Sequence, residues 1–263
     1  MTFPVEFHLF GRTLPAHPVM ETIAYAVGSQ LYYFLRRRRS PAQRIPFEQM
    51  MWLLVGCVFG ALIGSKVLAW IESFPDYWAA RSNPAVWMGG KTIVGGLLGG
   101  WVGVEIAKRC VGVSRSTGDL FVFPLILGIA IGRIGCFLTG LPDHTYGTFT
   151  SLPWGVNFGD GLRHPTQLYE ILFLILLGTW LALRGRKAHR EGDLFRRFLL
   201  GYLGFRLLIE FIKPTFKPWL GLSAIQVASL VGALWCARSM MIERLRHSPQ
   251  GAPAKVSSAA GEA

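Results

Sequence analysis

Arg133 lies in FVFPLILGIAIGRIGCFL and Arg206 in FLLGYLGFRLLIEFI, two runs that are otherwise apolar except for Glu210. A guanidinium at the centre of a membrane helix costs at least about 2.5–3.5 kcal/mol, so an arginine kept there points to function. Its planar fork of donors matches phosphate oxygens, and the chemistry offered is the holding of an anionic headgroup, or of charge developing on a leaving phosphate. Glu210 follows Arg206 at i,i+4 and shares its helix face. That pair therefore has two readings, an acidic partner within a phosphate site or a buried structural ion pair. Arg133 has no acidic residue one turn away in its own run and needs a partner from another segment.

The elements that must carry these residues follow from composition. The chain has 263 residues, 51% of them hydrophobic and only 16% charged, which excludes an ordinary soluble domain and predicts an all-α, polytopic membrane protein. Seven apolar stretches are long enough to span a bilayer, at roughly 19–36, 47–70, 84–107, 118–138, 167–184, 196–213 and 219–238. Residues 1–18 are expected to form an external N-terminal segment, 19–240 a seven-helix membrane domain, and 241–263 a polar, disordered cytoplasmic tail. The net charge of +12 is distributed unevenly. Arg36, Arg37, Arg38, Arg39 and Arg44, then Lys108, Arg109 and Arg115, then Arg184 to Arg197, then Arg238 to Lys255 gather on one side, against Arg12, Arg81, Arg163, Lys213 and Lys217 on the other. The positive-inside rule places the N-terminus outside and the C-terminus in the cytoplasm. The basic run is an orientation signal, and no nucleic-acid partner is expected. A basic n-region and a small-residue cleavage site are both lacking before the first span, so that helix is expected to stay in the protein. Cys57, Cys110, Cys136 and Cys236 show no CxxC spacing, so the sequence predicts no disulfide framework, no metal site and no organic cofactor.

With orientation fixed, the polar residues collect in the outer half. Glu21 opens the first span, Lys66 closes the second, Lys91 sits near the outer start of the third, and Arg133, Arg206 and Glu210 occupy the outer parts of the fourth and sixth. The external loop TGLPDHTYGTFTSLPWGVNFGDGLRHPTQLYE adds Asp143, His144, Arg163, His164 and Glu170. Together they predict a polar cavity open near the outer leaflet and suited to an anionic phospholipid. Lys66 is expected to snorkel to the interface, and Glu21 and Lys91 are either interfacial or paired. The small-xxx-small pairs Gly95/Gly99, Gly96/Gly100 and Gly128/Gly132 predict close helix packing. Gly89, Gly90, Gly95 and Gly96 around Lys91 also leave room for a lipid. Pro124 is expected to kink the fourth helix. The polar groups leave no path through the inner half, which argues against a channel or transporter.

The segments DLFVFPLILGIAIGRIGCF, SLPWGVNF followed by RHPTQLYE, and GYLGFRLLIEF, with GGKTIVGGLLG and YAVG, together resemble the bacterial prolipoprotein diacylglyceryl transferase family over about residues 20–240. RHPTQLYE is the most specific of them. The resemblance implies a seven-helix enzyme of the bacterial inner membrane, with no cofactor, that moves diacylglyceryl from phosphatidylglycerol to the lipobox cysteine thiol of an exported preprotein and releases glycerol 1-phosphate; a monomer is the plain expectation. By the same resemblance Arg133, Arg206 and Glu210 fall on catalytic positions. Arg163, His164, Gln167, Tyr169 and Glu170 keep the RHPxQLYE motif, and Gly147 matches a loop glycine. Gly95, Gly96, Lys91, Glu21 and Cys136 are expected to line the lipid cavity that the polar residues of the outer half predict, although the family has a tyrosine where Glu21 stands. The chain also departs from the family pattern. Val94 stands where the third-helix motif has histidine, Cys136 replaces the asparagine after GRIG, a loop glutamate is absent, and residues PDHT are extra. Either Asp143 or His144 supplies the missing polar group, His144 being suited as a base near neutrality, or the acceptor differs, or the scaffold only binds lipid or lipoprotein. Cys136 is either a nucleophile with its thiol activated by Arg133 or a filler of the asparagine volume.

Overall fold

The structure is a computed structural model that describes residues 2–9, 11–40, 44–187 and 189–246. It is mostly helical. Helices α1 (Ala16–Arg37), α2 (Phe47–Glu72), α3 (Phe74–Ala79), α4 (Pro84–Met88), α5 (Ile93–Cys110), α6 (Val122–Thr139), α7 (Thr166–Gly185), α8 (Asp193–Ile209) and α9 (Ala224–Arg246) follow in order, with a long connection over residues 140–165 between α6 and α7. Two small antiparallel hairpins lie outside the helices, β1 (Glu6–Leu9) with β2 (Arg12–Pro15), and β3 (Val156–Asn157) with β4 (Leu162–Arg163).

Among the described residues four helical segments, Phe47–Glu72, Gly118–Thr139, Thr166–Gly185 and Ala224–Ile242, are long and apolar enough to cross a membrane. Helix α1 carries Glu21, Arg36 and Arg37, α5 ends in Glu105, Lys108 and Arg109, and α8 has only 17 residues. The apolar stretch 84–107 is not one helix, contrary to the sequence reading. Gly90 adopts φ +62° and breaks the chain between α4 and α5, which glycine does at little cost. Thr92 then caps α5 by accepting a hydrogen bond from the Gly95 N–H. Pro124 does not kink a helix interior either. It falls in the first turn of α6, where a missing N–H leaves no intrahelical bond unmade. The final helix runs to Arg246, and the predicted disordered tail from residue 247 onward lies outside the described residues.

Helices α2 and α5 meet along a glycine seam. A Cβ at Gly56, Gly60 or Gly64 would strike the backbone of Gly103, Gly99 or Gly95, and the reverse substitutions would strike back. Small residues four apart thus let two backbones touch. Gly128 and Gly132, by contrast, have space around them. It is Gly135 that fixes the approach of α6 to α1, because a Cβ there would lie 2.9 Å from Met20 Cβ and 3.3 Å from His17 Cα. The core gathers around α8, whose Phe198, Leu199, Tyr202 and Leu203 are buried against Leu174, Leu181, Val94, Val122 and Cys236. The outer face of α2, with Trp52, Val58, Phe59, Leu62 and Ile63, stays exposed, as expected of a helix that is apolar all round and faces lipid.

Candidate active site

The C-terminal ends of α6 and α8 and the N-terminal end of α7 converge, and each brings a charge. Glu170, one turn into α7, is the hub. Its Oε1 accepts a hydrogen bond from Tyr202 Oη at 2.6 Å, and its Oε2 accepts one from Arg206 Nη1 at 3.1 Å. Arg133 Nε stands 2.9 Å from the same Oε2, but its N–H is misaligned, so that contact is ionic. Arg206 Nη2 donates to Glu210 Oε2 at 2.9 Å. Arg133, Arg206, Glu170, Glu210 and Lys213 are all buried. Three cations therefore face two carboxylates in a dry cluster. The partner that Arg133 requires is Glu170, and the i,i+4 pair of Arg206 with Glu210 forms. Among the described residues neither Arg133 Nε nor Arg206 Nε has an aligned hydrogen-bond acceptor, a cost of about 1–3 kcal/mol for a buried donor such as Arg206 Nε that lacks an ionic contact as well.

A second cluster begins on the other side of Arg133, whose Nη1 donates to Cys136 Sγ at 3.7 Å. Around that thiol the close approach of α1 to α6 places His17, and the 3₁₀ turn Leu141–Asp143 places Asp143. A ligand atom from each of His17, Cys136 and Asp143 lies within 4.8 Å of the others. His17 Nδ1 is 2.8 Å from Asp143 Oδ1, again without an aligned N–H. The other carboxylate oxygen, Oδ2, accepts from Thr145 Oγ1 at 2.6 Å, and Thr145 Oγ1 in turn accepts from Gln167 Nε2 at 3.1 Å. Burial pushes the Asp143 carboxyl up, yet the contacts with His17 and Thr145 outweigh it and hold the group below the usual carboxylate range.

Behind His17 the polar chain continues. His17 Nε2 is 3.9 Å from Glu21 Oε2, Tyr25 Oη donates to Glu21 at 3.0 Å, and Lys91 Nζ lies 2.6 Å from both Glu21 oxygens. Of the two readings of Glu21 and Lys91, the structure shows the pair. Lys66 Nζ donates to the carbonyls of Met88, Gly89 and Gly90 and ties down the break before α5. Gly95 is buried in the α2–α5 seam and Gly96 lies beside Ser65, so both serve helix packing.

The external loop divides its candidates. Gln167 and Glu170 reach the two clusters. His164 Nδ1 is 3.2 Å from Tyr169 Oη, which also accepts from Trp154 Nε1 at 2.9 Å. Gly147 bonds the backbone of His164, and a Cβ there would sit 2.6 Å from His164 Cβ. Arg163 chelates Asp160, stacks 3.8 Å over Phe149 and donates to the Gly147 carbonyl, which makes it a strut of the loop. His144 turns away: it is exposed, with φ +53° and its ring 6.3 Å from that of Tyr146. Of the two loop residues considered as the replacement polar group, only Asp143 joins the cluster. His17 was not among the candidates, although it lies one helical turn before Glu21.

Fold and site together define a helical membrane protein with buried arginines and a thiol at one end of its bundle. A profile of the prolipoprotein diacylglyceryl transferase family matches residues 4–242, and the chain belongs to that family. It is 33% identical over 255 residues to the phosphatidylglycerol–prolipoprotein diacylglyceryl transferase of Bordetella parapertussis, covering 91% of this chain and 88% of the relative. Similar proteins of the same name come from Geobacter sulfurreducens, at 31% over 211 residues (73% of this chain and 76% of the relative), and from Dehalococcoides mccartyi, at 28% over 264 residues (94% and 95%).

Proposed function

We propose that the protein transfers diacylglyceryl from phosphatidylglycerol to the lipobox cysteine thiol of an exported preprotein. The sulfur–carbon bond forms as the bond from the glyceryl carbon to the phosphate oxygen breaks; the thiol proton goes to a base, and glycerol 1-phosphate leaves. The observation that carries this reading is the pair of buried guanidiniums whose Nε donors have no aligned acceptor among the described residues, with three cations to two carboxylates around Glu170. A phosphate oxygen satisfies such donors, and donors fixed in a dry site stabilise the charge that grows on the leaving oxygen. Seven helices then cross the bacterial inner membrane, α1, α5 and α8 among them, with the N-terminus outside and the site open toward the outer leaflet. The acceptor thiol enters from the exposed side of the His17 cluster, and the protein works as a monomer on its two substrates.

The test is release of glycerol 1-phosphate from phosphatidylglycerol by the purified protein, with and without a lipobox peptide. Peptide-dependent release that disappears in Arg133→Ala is expected. Lipid binding without release in the presence of peptide would favour a scaffold that binds lipid or lipoprotein.

A further inference from the structure

We infer that His17, Cys136 and Asp143 form a zinc site whose fourth position takes the acceptor thiol. The inference rests on the proposed transfer to a thiol and adds how that thiol is activated.

Three features of the cluster support a metal over a plain hydrogen-bonded triad. The donor set is one imidazole nitrogen, one thiol sulfur and one carboxylate oxygen, all within 4.8 Å of one another. A tetrahedral zinc ion with bonds of about 2.0–2.3 Å holds its ligand atoms roughly 3.5 Å apart, inside that limit. His17 Nδ1, an atom shielded from solvent, approaches Asp143 Oδ1 to 2.8 Å without aligning an N–H on it. The two atoms face one another without a hydrogen bond, and a separation wider by roughly 0.5 Å would admit the ion between them. The groups behind the donors are those a metal site requires. Glu21 lies 3.9 Å from the far nitrogen of His17, while Thr145 occupies the Asp143 oxygen that does not face the histidine and is itself held by Gln167. A carboxylate behind a ligating imidazole and a hydrogen bond to a ligating carboxylate orient ligands and raise their affinity. Arg133 Nη1 stands 3.7 Å from Sγ, on the side of the sulfur where the leaving phosphate would sit.

Three protein ligands with one open position are the arrangement of a catalytic zinc site. The acceptor cysteine would bind there as its thiolate, its proton passing to solvent as the metal binds. Two thiolates and a carboxylate around Zn²⁺ leave a net charge of −1, so the bound sulfur stays nucleophilic. Its electron pair forms the bond to the glyceryl carbon, and the pair of the breaking carbon–oxygen bond leaves with glycerol 1-phosphate beside Arg133. The product is a neutral thioether, a weaker ligand than the thiolate, and it dissociates. A covalent role for Cys136 is chemically inferior, because diacylglyceryl on its sulfur would be a thioether, from which the chain is not readily passed on.

Co²⁺ titrated into the metal-stripped full-length protein reads the site directly. A near-ultraviolet sulfur-to-cobalt charge-transfer band that saturates at one equivalent is expected. It should be lost in Cys136→Ser, and Thr145→Val should weaken affinity about 10- to 100-fold while keeping the band. Adding a lipobox peptide should strengthen the band, and the same peptide with serine for cysteine should not. Absence of a band in the wild-type protein, or a band unchanged in Cys136→Ser, overturns the site. A band indifferent to the peptide thiol overturns the acceptor position. Full glycerol 1-phosphate release by metal-stripped protein, or a diacylglyceryl mass found on Cys136, overturns the zinc role while leaving the transferase reading intact. A cobalt band in protein that releases no glycerol 1-phosphate under any condition keeps the site and sinks that reading instead.

Discussion

Around Glu170, Arg133, Arg206 and Glu210 are buried and held by ion pairs and hydrogen bonds from α6, α7 and α8. Around Cys136 the groups come from α1, α6 and a loop, and the His17 side chain keeps 27% of its surface open. Arg133 belongs to both, touching Glu170 with Nε and Cys136 with Nη1. The difference matches the demands of a transfer between a lipid phosphate and a thiol. Charge developing on phosphate is best met by fixed dipoles in a dry place, whereas a protein thiol must enter from water and lose a proton. The buried cluster carries a desolvation cost that its ion pairs must offset, whereas the second cluster keeps part of the His17 side chain in reach of water.

Removing the dry cluster's cations tests its half of the comparison most severely. Arg133→Ala and Arg206→Ala should each lower turnover about 100- to 1,000-fold or more, by analogy with the loss of one fixed donor to a developing charge, while the protein remains inserted in the membrane. Folded variants that turn over at the wild-type rate would end the phosphate assignment. The next effect is on stability. Glu170→Gln strips the shared carboxylate from two buried guanidiniums and should cost about 3–5 kcal/mol, visible as a lower unfolding temperature in detergent. Asp143→Asn, in the open cluster, should leave that temperature within a degree or two of the wild type. Equal losses in both variants would erase the distinction between the clusters.

Gly135 allows the thiol cluster to be loosened without touching the ionic one. A methyl group at Gly135 meets Met20 and His17 on α1, so Gly135→Ala should move His17 away from Cys136. It should lower the rate with peptide by about tenfold, roughly 1.4 kcal/mol in barrier. Gly132→Ala, with nothing within 4 Å, is the matched control and should behave as wild type. A reduced rate in both would point to helix propensity or lipid contact rather than to the placement of His17.

What the sequence made legible follows from the same contrast. Arg133, Arg206 and Glu210 stand out because a charge in an apolar run is conspicuous, and Glu170 was named as part of its motif. That Glu170 ties the two arginines together is a property of three helix ends meeting, which no local pattern encodes. His17 escaped because it precedes the apolar stretch and reads as part of an external segment, though its spacing of four from Glu21 was a usable signal. His144 stands out in the sequence as an imidazole suited to act as a base near neutrality, but in the fold it is exposed, on a left-handed backbone, and only Asp143 joins the cluster. The break before α5 was hidden for a related reason. Hydropathy over 84–107 averages across Gly89 and Gly90, where α4 has ended and the positive φ of Gly90 keeps the chain from running on into α5.

The smallest effect expected is the pH dependence of the open cluster. Asp143 has its folded-state value below the unfolded one, because His17 and Thr145 favour the carboxylate over the opposing effect of burial. Its contribution to stability is therefore complete above the unfolded value, near ~3.9, and is lost as pH falls through the lower folded value. Thermal unfolding between about pH 3 and 6 should show the wild type losing stability toward the acid end of that range, and Asp143→Asn losing less. Thr145→Val removes one of the two contacts and should fall between them. If wild type and Asp143→Asn ran parallel, the carboxylate of the open cluster would not be held by its neighbours.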